Sequence, residues 1–541
     1  MNIVRGPMSF IVPHVVHNGD MTRPPSQPAH SATGQHADSA AETTPENSLE
    51  SSAENSTAHA QAERGFLDRY FHISERGTTI PSEIRAGVVT FFAMAYIIIL
   101  NPLILGTTED AEGTVLGIPQ VAAVTALAAG VMTILFGVIA KYPFGFAAGL
   151  GINTLVAVTL VMGEGLTWPQ AMGLVVIDGI IIVILAITGF REAVFHAIPA
   201  AMKSAIGVGI GLFITMIGMV DAGFVRRIPD AAGTTVPVQL GIDGSIASWP
   251  TLVFVIGLLI CGFMMVRGIR GGLFIGIVAT TVIAVIVEAI AEAGPSVDDQ
   301  GEANPTGWNL AVPSVPDSLG GMPDLSLVGA IDVVGAFTQV GALAATLLVF
   351  ALVLANFFDA MGTMTALGKQ GQLVDDNGNL PNLKKALVVE GFGAVVGGVT
   401  SSSSNTVYAD SAAGVADGAR TGLANVVTGL LFLAAMFLTP LYEIVPMEAA
   451  APVLVVVGVL MMGQVKDIDW DKFHIALPAF LTILVMPFTY SIVNGIGVGV
   501  IAFTVMNLFA GKGAKTHWIM WLLTGLFIIF FAIEPLRAVV G

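Results

Sequence analysis

Long apolar runs recur along the chain from about residue 84 to the C-terminus, separated by short polar connections. Most runs approach the 20 or so residues that a helix needs to cross a bilayer. The pattern predicts a first series of seven spans at 84–104, 117–139, 147–162, 168–190, 199–220, 250–266 and 271–291. It predicts a second series of seven at 340–366, 384–400, 407–418, 421–441, 449–465, 474–492 and 494–510. For a fifteenth apolar segment, 517–533, the pattern leaves open whether it crosses or lies at the interface.

The composition supports this all-α polytopic membrane class. Of the 541 residues, 54% are hydrophobic and 11% are charged, whereas a soluble domain has about 25% charged residues. The formal net charge is −17, with the acids mostly in the N-terminal tail and the loops. This balance excludes nucleic acid as a partner, since nucleic-acid binding needs basic surfaces.

Two features of the chain carry no site. Residues 1–65 are polar and rich in Ser, Ala and Glu, so they are predicted to form a disordered tail. Six histidines lie in or just beyond this tail without the spacing of a metal site, and no metal or cofactor is predicted. The single cysteine, Cys261, lies inside an apolar run and is interpreted as a buried thiol without a disulfide.

The charges between the spans predict the orientation. One side receives nearly all Lys and Arg residues, whereas the other receives only Arg226 and Arg227 and the stretch 292–332, which has neither. Cytoplasmic loops collect basic residues, so the N-terminus is predicted to be cytoplasmic. Because each series has an odd number of spans, the second series is predicted to be inverted relative to the first, as in many secondary transporters.

Asp359 lies inside an apolar span, ten residues before Lys369. A helix rises about 1.5 Å per residue, which places Asp359 near the membrane midplane. A carboxyl group at that depth is costly and indicates function more often than packing. Asn356 and Thr363 are predicted to share its helix face.

The stretch 397–408 is small and polar, so irregular or extended backbone that lines a cavity is predicted there. A half-helix is predicted to begin near Tyr408, with Asp410 in its first turn and free N–H groups that face the cavity. The first series has a counterpart at 142–153, again small and interrupted before a short helix. The two broken segments together predict one central site.

The chemistry of the two aspartates favours a planar heterocycle. A carboxylate accepts two parallel hydrogen bonds from adjacent N–H groups, such as those of a purine or pyrimidine. Four aromatic residues are candidates for stacking on such a ring: Phe91, Phe92, Phe357 and Phe358. The chain has no phosphate-binding loop for ATP, which leaves an ion gradient as the energy source, with Asp359 as a proton carrier.

Several motifs then resemble a known family. They are Asn101–Gly106, Phe358–Thr363, Tyr408–Val415, Arg420–Gly422, Pro440–Glu443, Gly458–Met462 and Met486–Ile492. Over about residues 66–510 the chain resembles the nucleobase-cation symporters of the xanthine/uracil permease superfamily, in particular the adenine-guanine-hypoxanthine permease branch.

The resemblance implies proton-coupled nucleobase uptake by an elevator-like motion of a core domain against a gate domain that often forms a homodimer. The core domain would comprise residues 66–198 and 340–445. The gate domain would comprise 199–291 and 446–541, the latter including the apolar C-terminal segment. Residues 292–339 would form an acidic extracytoplasmic loop.

The resemblance also transfers roles to residues. The essential acids of spans eight and ten fall on Asp359 and Asp410, which are both candidates for proton coupling, with sodium as the alternative coupling ion. The asparagine of span three falls on Asn153. The predicted substrate site further includes Asn356, Phe358 and Ser411. Asp410 stands where the branch usually has a glutamate, and Asn356 and Ala360 stand where it more typically has an acid and a threonine, so the identity of the base stays open.

Four alternatives remain open. A uracil or xanthine permease and an anion carrier would have the same fold, but buried aspartates would repel an anion. An intramembrane aspartyl protease also needs two acids at membrane depth, yet its Tyr-Asp and Gly-x-Gly-Asp signatures surround neither Asp359 nor Asp410. A channel is disfavoured by a closed aromatic and carboxylate pocket. The sequence therefore favours a transporter in the cell membrane over an enzyme.

Overall fold

The computed structural model describes residues 65–189, 197–228, 237–297, 303–309, 311–315, 318–375, 380–438 and 440–540. The predicted tail, residues 1–65, lies outside this part of the chain except for its last residue. The described residues form a mostly helical bundle with two small antiparallel sheets.

The helices of the first half begin with α1 at the end of the tail. They are α1 (Phe66–Phe71), α2 (Ile80–Met94), α3 (Ile97–Leu105), α4 (Ile118–Ile139), α5 (Leu150–Thr154), α6 (Trp168–Thr188), α7 (Ala200–Asp221), α8 (Trp249–Val266) and α9 (Gly272–Ala291). Helix α5 continues as a π-helix over Leu155–Gly163. The strands of this half are β1 (Phe146–Ala148), β2 (Val225–Arg227) and β3 (Val238–Leu240).

The second half contains one strand, β4 (Asn405–Val407), within its described residues. Its helices are α10 (Gly335–Gln339), α11 (Ala342–Gln370), α12 (Leu383–Val399), α13 (Ala412–Asp417), α14 (Gly422–Ala435), α15 (Pro440–Glu443), α16 (Met447–Met462), α17 (Phe473–Phe488), α18 (Ile492–Phe509) and α19 (Trp518–Val540). The short α10 lies inside the stretch predicted as a loop at 292–339.

Within the described residues, eight helical segments are long and apolar enough to cross a membrane, and five shorter apolar helices accompany them. The chain is therefore an integral multi-pass membrane protein. The segment that the sequence left open folds as α19, whose apolar part Trp518–Ala532 is one of the shorter helices.

Helix starts follow the local sequence. Thr79 caps α2 by accepting a hydrogen bond from the Ser82 N–H, and Pro81 occupies the first turn, where its missing N–H costs nothing. Thr167 forms a reciprocal capping box at the start of α6. These caps satisfy backbone N–H groups that would otherwise lack partners at a helix start.

The first span is broken between α2 and α3. Ile98 and Ile99 donate their N–H groups to the carbonyls of Ala95 and Tyr96, three residues earlier. Such bonds wind the chain more tightly than an α-helix. The span is therefore wound more tightly at Ala95 and Tyr96, in the middle of a hydrophobic run.

The two interrupted segments meet as an antiparallel pair of strands. Phe146 lies opposite Val407, and Ala148 lies opposite Asn405. In the polar stretch 397–408, residues 405–407 are extended, as predicted. Residues 397–399 are instead helical and form the end of α12. The chain after α12 folds back close to Gly397, where only a glycine fits, because a methyl group would lie 1.8 Å from the Ser403 carbonyl oxygen.

Side chains complete the hydrogen bonding of this buried sheet. Thr133 on α4 donates to the Phe146 carbonyl and accepts from the Phe146 N–H, at 3.1 and 2.9 Å. Asn101 on α3 donates to the Ser402 carbonyl at 3.0 Å. Backbone polar groups inside a bilayer need such partners, so these residues allow the helices to be interrupted.

The long helices pack in two groups. Helix α12 packs on α6, and α14 packs on α4 and α2. In the other group, α16 and α17 both pack on α7, and α8 packs on α9 and α16. The β1–β4 pair lies in the first group, in contact with α4, α11 and α12.

We expect Gly422→Ala to destabilise the protein, because the added methyl group would lie 1.8 Å from the backbone oxygen of Gly137, where α14 crosses α4. Overpacking of this kind costs about 1–3 kcal/mol. Thermal unfolding of detergent-purified protein measures the loss. Gly262→Ala in α8 is the matched control, since a methyl group there meets nothing within 4 Å. An equal melting temperature for both variants would contradict this account of the crossing.

Candidate substrate site

A cavity of about 580 Å³ lies where the two broken segments meet. Its wall includes the starts of both half-helices, at 149–152 and 407–410, and part of α11. The opposite wall comes from the second group of helices, through Ile210, Ile214, Val457, Leu460 and Met461. A mostly apolar cavity of this size with a few convergent polar groups is typical of a small-molecule site.

Asp359 lines the cavity from α11 and is partly exposed to it. A methyl group at Gly149 would lie 3.5 Å from Asp359 Oδ2 and 3.0 Å from Thr406 Cγ2. Gly149 therefore lies in contact distance of the carboxyl group and packs closely against Thr406 of β4. A further acid of this group of helices, Glu390 on α12, is fully buried and does not line the cavity.

Asp410 also lines the cavity and is partly exposed to it. It lies in the single 3-10 turn Ala409–Ser411 that precedes α13. The hydroxyl of Tyr96 donates a hydrogen bond to Asp410 Oδ2 at 2.9 Å. The structure thus brings both predicted acids to one cavity and places the break in the first span beside one of them.

The aromatic residues of the cavity are tyrosines. Tyr96 and Tyr408 both line it, with ring centroids 6.1 Å apart and planes inclined at 52°. Phe91, Phe92 and Phe357, considered above for stacking, do not line the cavity. Phe91 packs edge-on against Phe432, Phe92 packs against Phe274, and Phe357 is 2% exposed. The side chain of Phe358 lies outside the described residues.

Three other predicted site residues lie behind the cavity wall. Asn153 donates to Asn101 at 2.7 Å, and Asn356 donates to Asp178 and Ser404 at 3.1 and 2.8 Å. Ser411 accepts from the Gly145 N–H at 2.9 Å. All three are fully buried and none lines the cavity. Direct contact of these residues with a substrate stays a prediction, whereas their visible contacts hold the broken segments in place.

An ion-pair network lies at one edge of the cavity. Arg270, in the loop between α8 and α9, lines the cavity and binds Asp417 at the end of α13. Arg85 on α2 binds the same carboxyl group at 2.7 Å and its backbone carbonyl at 3.0 Å. Asp417 therefore connects a loop of the second group of helices to the first group.

Sequence reasoning missed the tyrosines and the Arg270–Asp417 pair. Tyr96 did carry a signal, because a tyrosine in a run of isoleucines must find a partner for its hydroxyl when buried. The partner of Arg270 had no comparable signal, since Asp417 is 147 residues away in the chain.

The arrangement can bind a flat, uncharged ring with polar edges. Two carboxyl groups offer hydrogen-bond acceptors, the Thr363 hydroxyl adds a further polar group, and two tyrosine rings flank Asp410. A bundle whose broken helices meet at a central cavity is the architecture of a membrane transporter. The transmembrane domain of a cyanobacterium bicarbonate transporter, BicA, shares this fold, with a TM-score of 0.52 over 78% of this chain and 97% of that chain, at 15% identity.

The sequence comparisons define the family. A family model described as Permease family (Xan_ur_permease) matches residues 81–498, and the chain belongs to this family. Guanine/hypoxanthine permease PbuG of Bacillus subtilis is 37% identical over 472 residues, which cover 86% of this chain and 99% of the relative. Adenine permease AdeQ of Escherichia coli is 32% identical over 475 residues, with coverages of 87% and 98%. These relatives confirm the resemblance and place the chain among transporters, not enzymes.

We expect Asp417→Asn to lower the melting temperature of the purified protein, because the buried carboxyl group binds two arginines. The arginines are more than half exposed, so solvent screening reduces the loss to about 1–2 kcal/mol. Asp469→Asn is the control: it removes a pair with Lys472 in which both side chains are substantially exposed, and no measurable change is expected. Equal stability of both variants and the wild type would show that the network contributes nothing.

Proposed function

We propose that this chain is a secondary transporter that imports a nucleobase, with a purine such as hypoxanthine, guanine or adenine as substrate and protons as the coupling ion. The observation that carries the proposal is the cavity in which Asp359 and Asp410 converge beside Tyr96 and Tyr408. The permease family and relatives named for guanine, hypoxanthine and adenine supply the substrate class.

The cavity chemistry supports a purine. A purine is planar and has ring and exocyclic N–H groups along one edge, which a carboxylate accepts in parallel. We assign this contact to Asp410, next to the tyrosine rings. The apolar wall of Ile210, Ile214 and Val457 would cover the rest of the ring.

Proton coupling is assigned to Asp359. It lies well within α11 and reaches the cavity. A carboxyl group that binds a proton while the cavity faces one side and releases it on the other would link uptake to the proton gradient.

The two groups of helices support an elevator-like motion. The first group carries both acids and the β1–β4 pair and would be the core, whereas the second forms the opposite cavity wall and would be the gate. We propose that the two halves are inverted repeats of seven spans. Dimerisation through the gate stays an expectation from the resemblance.

The anion-carrier alternative gains little support. The fold is shared with a bicarbonate transporter, but at 15% identity this likeness concerns the fold alone. The cavity is lined by two carboxyl groups, and its one lining arginine, Arg270, is bound to Asp417. Bound anions would therefore meet negative rather than positive groups.

We expect Asp359→Asn and Asp410→Asn each to reduce uptake of radiolabelled hypoxanthine or guanine at least about 100-fold, because each removes a charged acceptor from the cavity. Uptake into cells that lack endogenous purine transport measures the effect, with the amount of protein in the membrane determined in parallel.

Asp243→Asn is the matched control, since Asp243 is an exposed residue with a backbone φ of 51° that asparagine tolerates. It should transport like the wild type. Normal uptake in either cavity variant would refute the site, and a wild-type protein without saturable uptake of any purine, xanthine or uracil would refute the function.

The orientation is tested with single cysteines, since native Cys261 is fully buried and should not react. We propose that the N-terminus is cytoplasmic, so Lys385 should face the cytoplasm and Asp324 the outside. Both side chains are exposed. In intact cells a membrane-impermeant maleimide should label Asp324→Cys but not Lys385→Cys. The reverse labelling would invert the proposed topology.

A further inference from the structure

Tyr96 occupies an unusual place for a polar side chain. It follows the apolar helix α2 and precedes a run of three isoleucines, and it is 1% exposed. The break between α2 and α3 falls at this residue, and the ring reaches the cavity.

The hydroxyl of Tyr96 holds one specific oxygen of Asp410. It donates to Oδ2 at 2.9 Å across 314 residues of sequence. The carboxyl group is otherwise partly exposed to the cavity. A hydrogen bond to a carboxylate restricts its rotation, so the hydroxyl fixes the direction in which the remaining oxygen can accept a bond.

The first span, which carries Tyr96, and the turn that carries Asp410 are in contact. The Gly145 N–H donates to Ser411 Oγ at 2.9 Å, and that oxygen lies 3.9 Å from Met94 Sδ. A methyl group at Gly145 would lie 2.5 Å from the same sulfur atom. Ser411, next to Asp410, is therefore in contact with Met94, which lies two residues before Tyr96 on the first span.

From this geometry we propose that Tyr96 is a positioning residue that orients the Asp410 carboxyl group toward the substrate and limits the length of the acidic side chain at position 410. This inference rests on the proposed purine transport and adds a residue, Tyr96, on which the affinity for the purine depends. Tyr408, whose ring lies beside that of Tyr96, closes the same side of the cavity.

The limit on length follows from the 2.9 Å contact. A glutamate at position 410 would carry its carboxyl group about 1.5 Å farther along an extended side chain. An oxygen that is already at hydrogen-bond distance from the Tyr96 hydroxyl would then collide with it or turn away from the substrate. Removal of the hydroxyl would release this space.

The test is a double-mutant cycle on substrate affinity with Tyr96→Phe, Asp410→Glu and the double variant. We expect Tyr96→Phe to raise KM for guanine about tenfold with little change in Vmax, because a hydrogen bond that orients a charged acceptor is lost. Asp410→Glu should raise KM more than this. The double variant should have a lower KM than Asp410→Glu alone.

Tyr442→Phe is the matched control, because it removes another buried hydroxyl, bonded to the Ala435 carbonyl at 2.9 Å and away from the cavity. Its KM should equal that of the wild type. Binding of guanine to purified, folded protein, measured by calorimetry for every variant, separates affinity from transport rate and from protein amount.

A wild-type KM and wild-type guanine binding in Tyr96→Phe would overturn the inference. So would a double variant in which the two losses simply multiply, since that result excludes contact between the side chains. A wild-type protein that neither binds nor transports purines would instead refute the proposed function, so the two failures are distinguishable.

Discussion

The pairing of β1 with β4 is the interaction on which the rest of the structure depends. In hydrocarbon, a chain that leaves the helical conformation exposes N–H and C=O groups at a cost of several kcal/mol each. Here two interrupted segments satisfy one another, with Phe146 opposite Val407. Thr133 and Asn101 supply bonds that the two strands cannot. The interruption on one side is therefore possible only because the other side is interrupted too, which joins the two halves of the chain at one point.

The cavity is a consequence of this pairing. The half-helices that follow the two strands start beside the same cavity. Gly149 at the start of the first half-helix lies beside Asp359, and the turn at Asp410 brings the second acid to the same space. The carboxyl groups remain partly exposed because the cavity provides space beside them, whereas Asn356 and Asn153 are fully buried and donate their amide N–H groups to other side chains of the protein.

Much of the fold was predictable because bilayer thickness and hydrophobic periodicity act locally. The helices, the two interruptions and the acids that line the cavity all follow from residues close in sequence. The contacts of individual side chains do not. The helical spacing of Asn356 and Asp359 predicted that the two residues share one helix face. Asp359 lines the cavity from this face, whereas Asn356 forms hydrogen bonds with neighbouring segments of the protein. The role of Tyr96 depends on Asp410, 314 residues away, and only the assembled fold brings them together.

The Arg270–Asp417 pair lies where the proposed motion would take place. Arg270 belongs to the group that we propose as the gate, and Asp417 to the proposed core. If the core slides against the gate, this pair must separate, and a buried carboxylate left without a partner would be costly. Arg85 avoids that cost, because it binds the same carboxyl group from within the core and would move with it. In such a motion the contact between Arg270 and Asp417 would break, and Arg85 would still compensate the charge of Asp417. The contact would therefore suit a protein that alternates between two states.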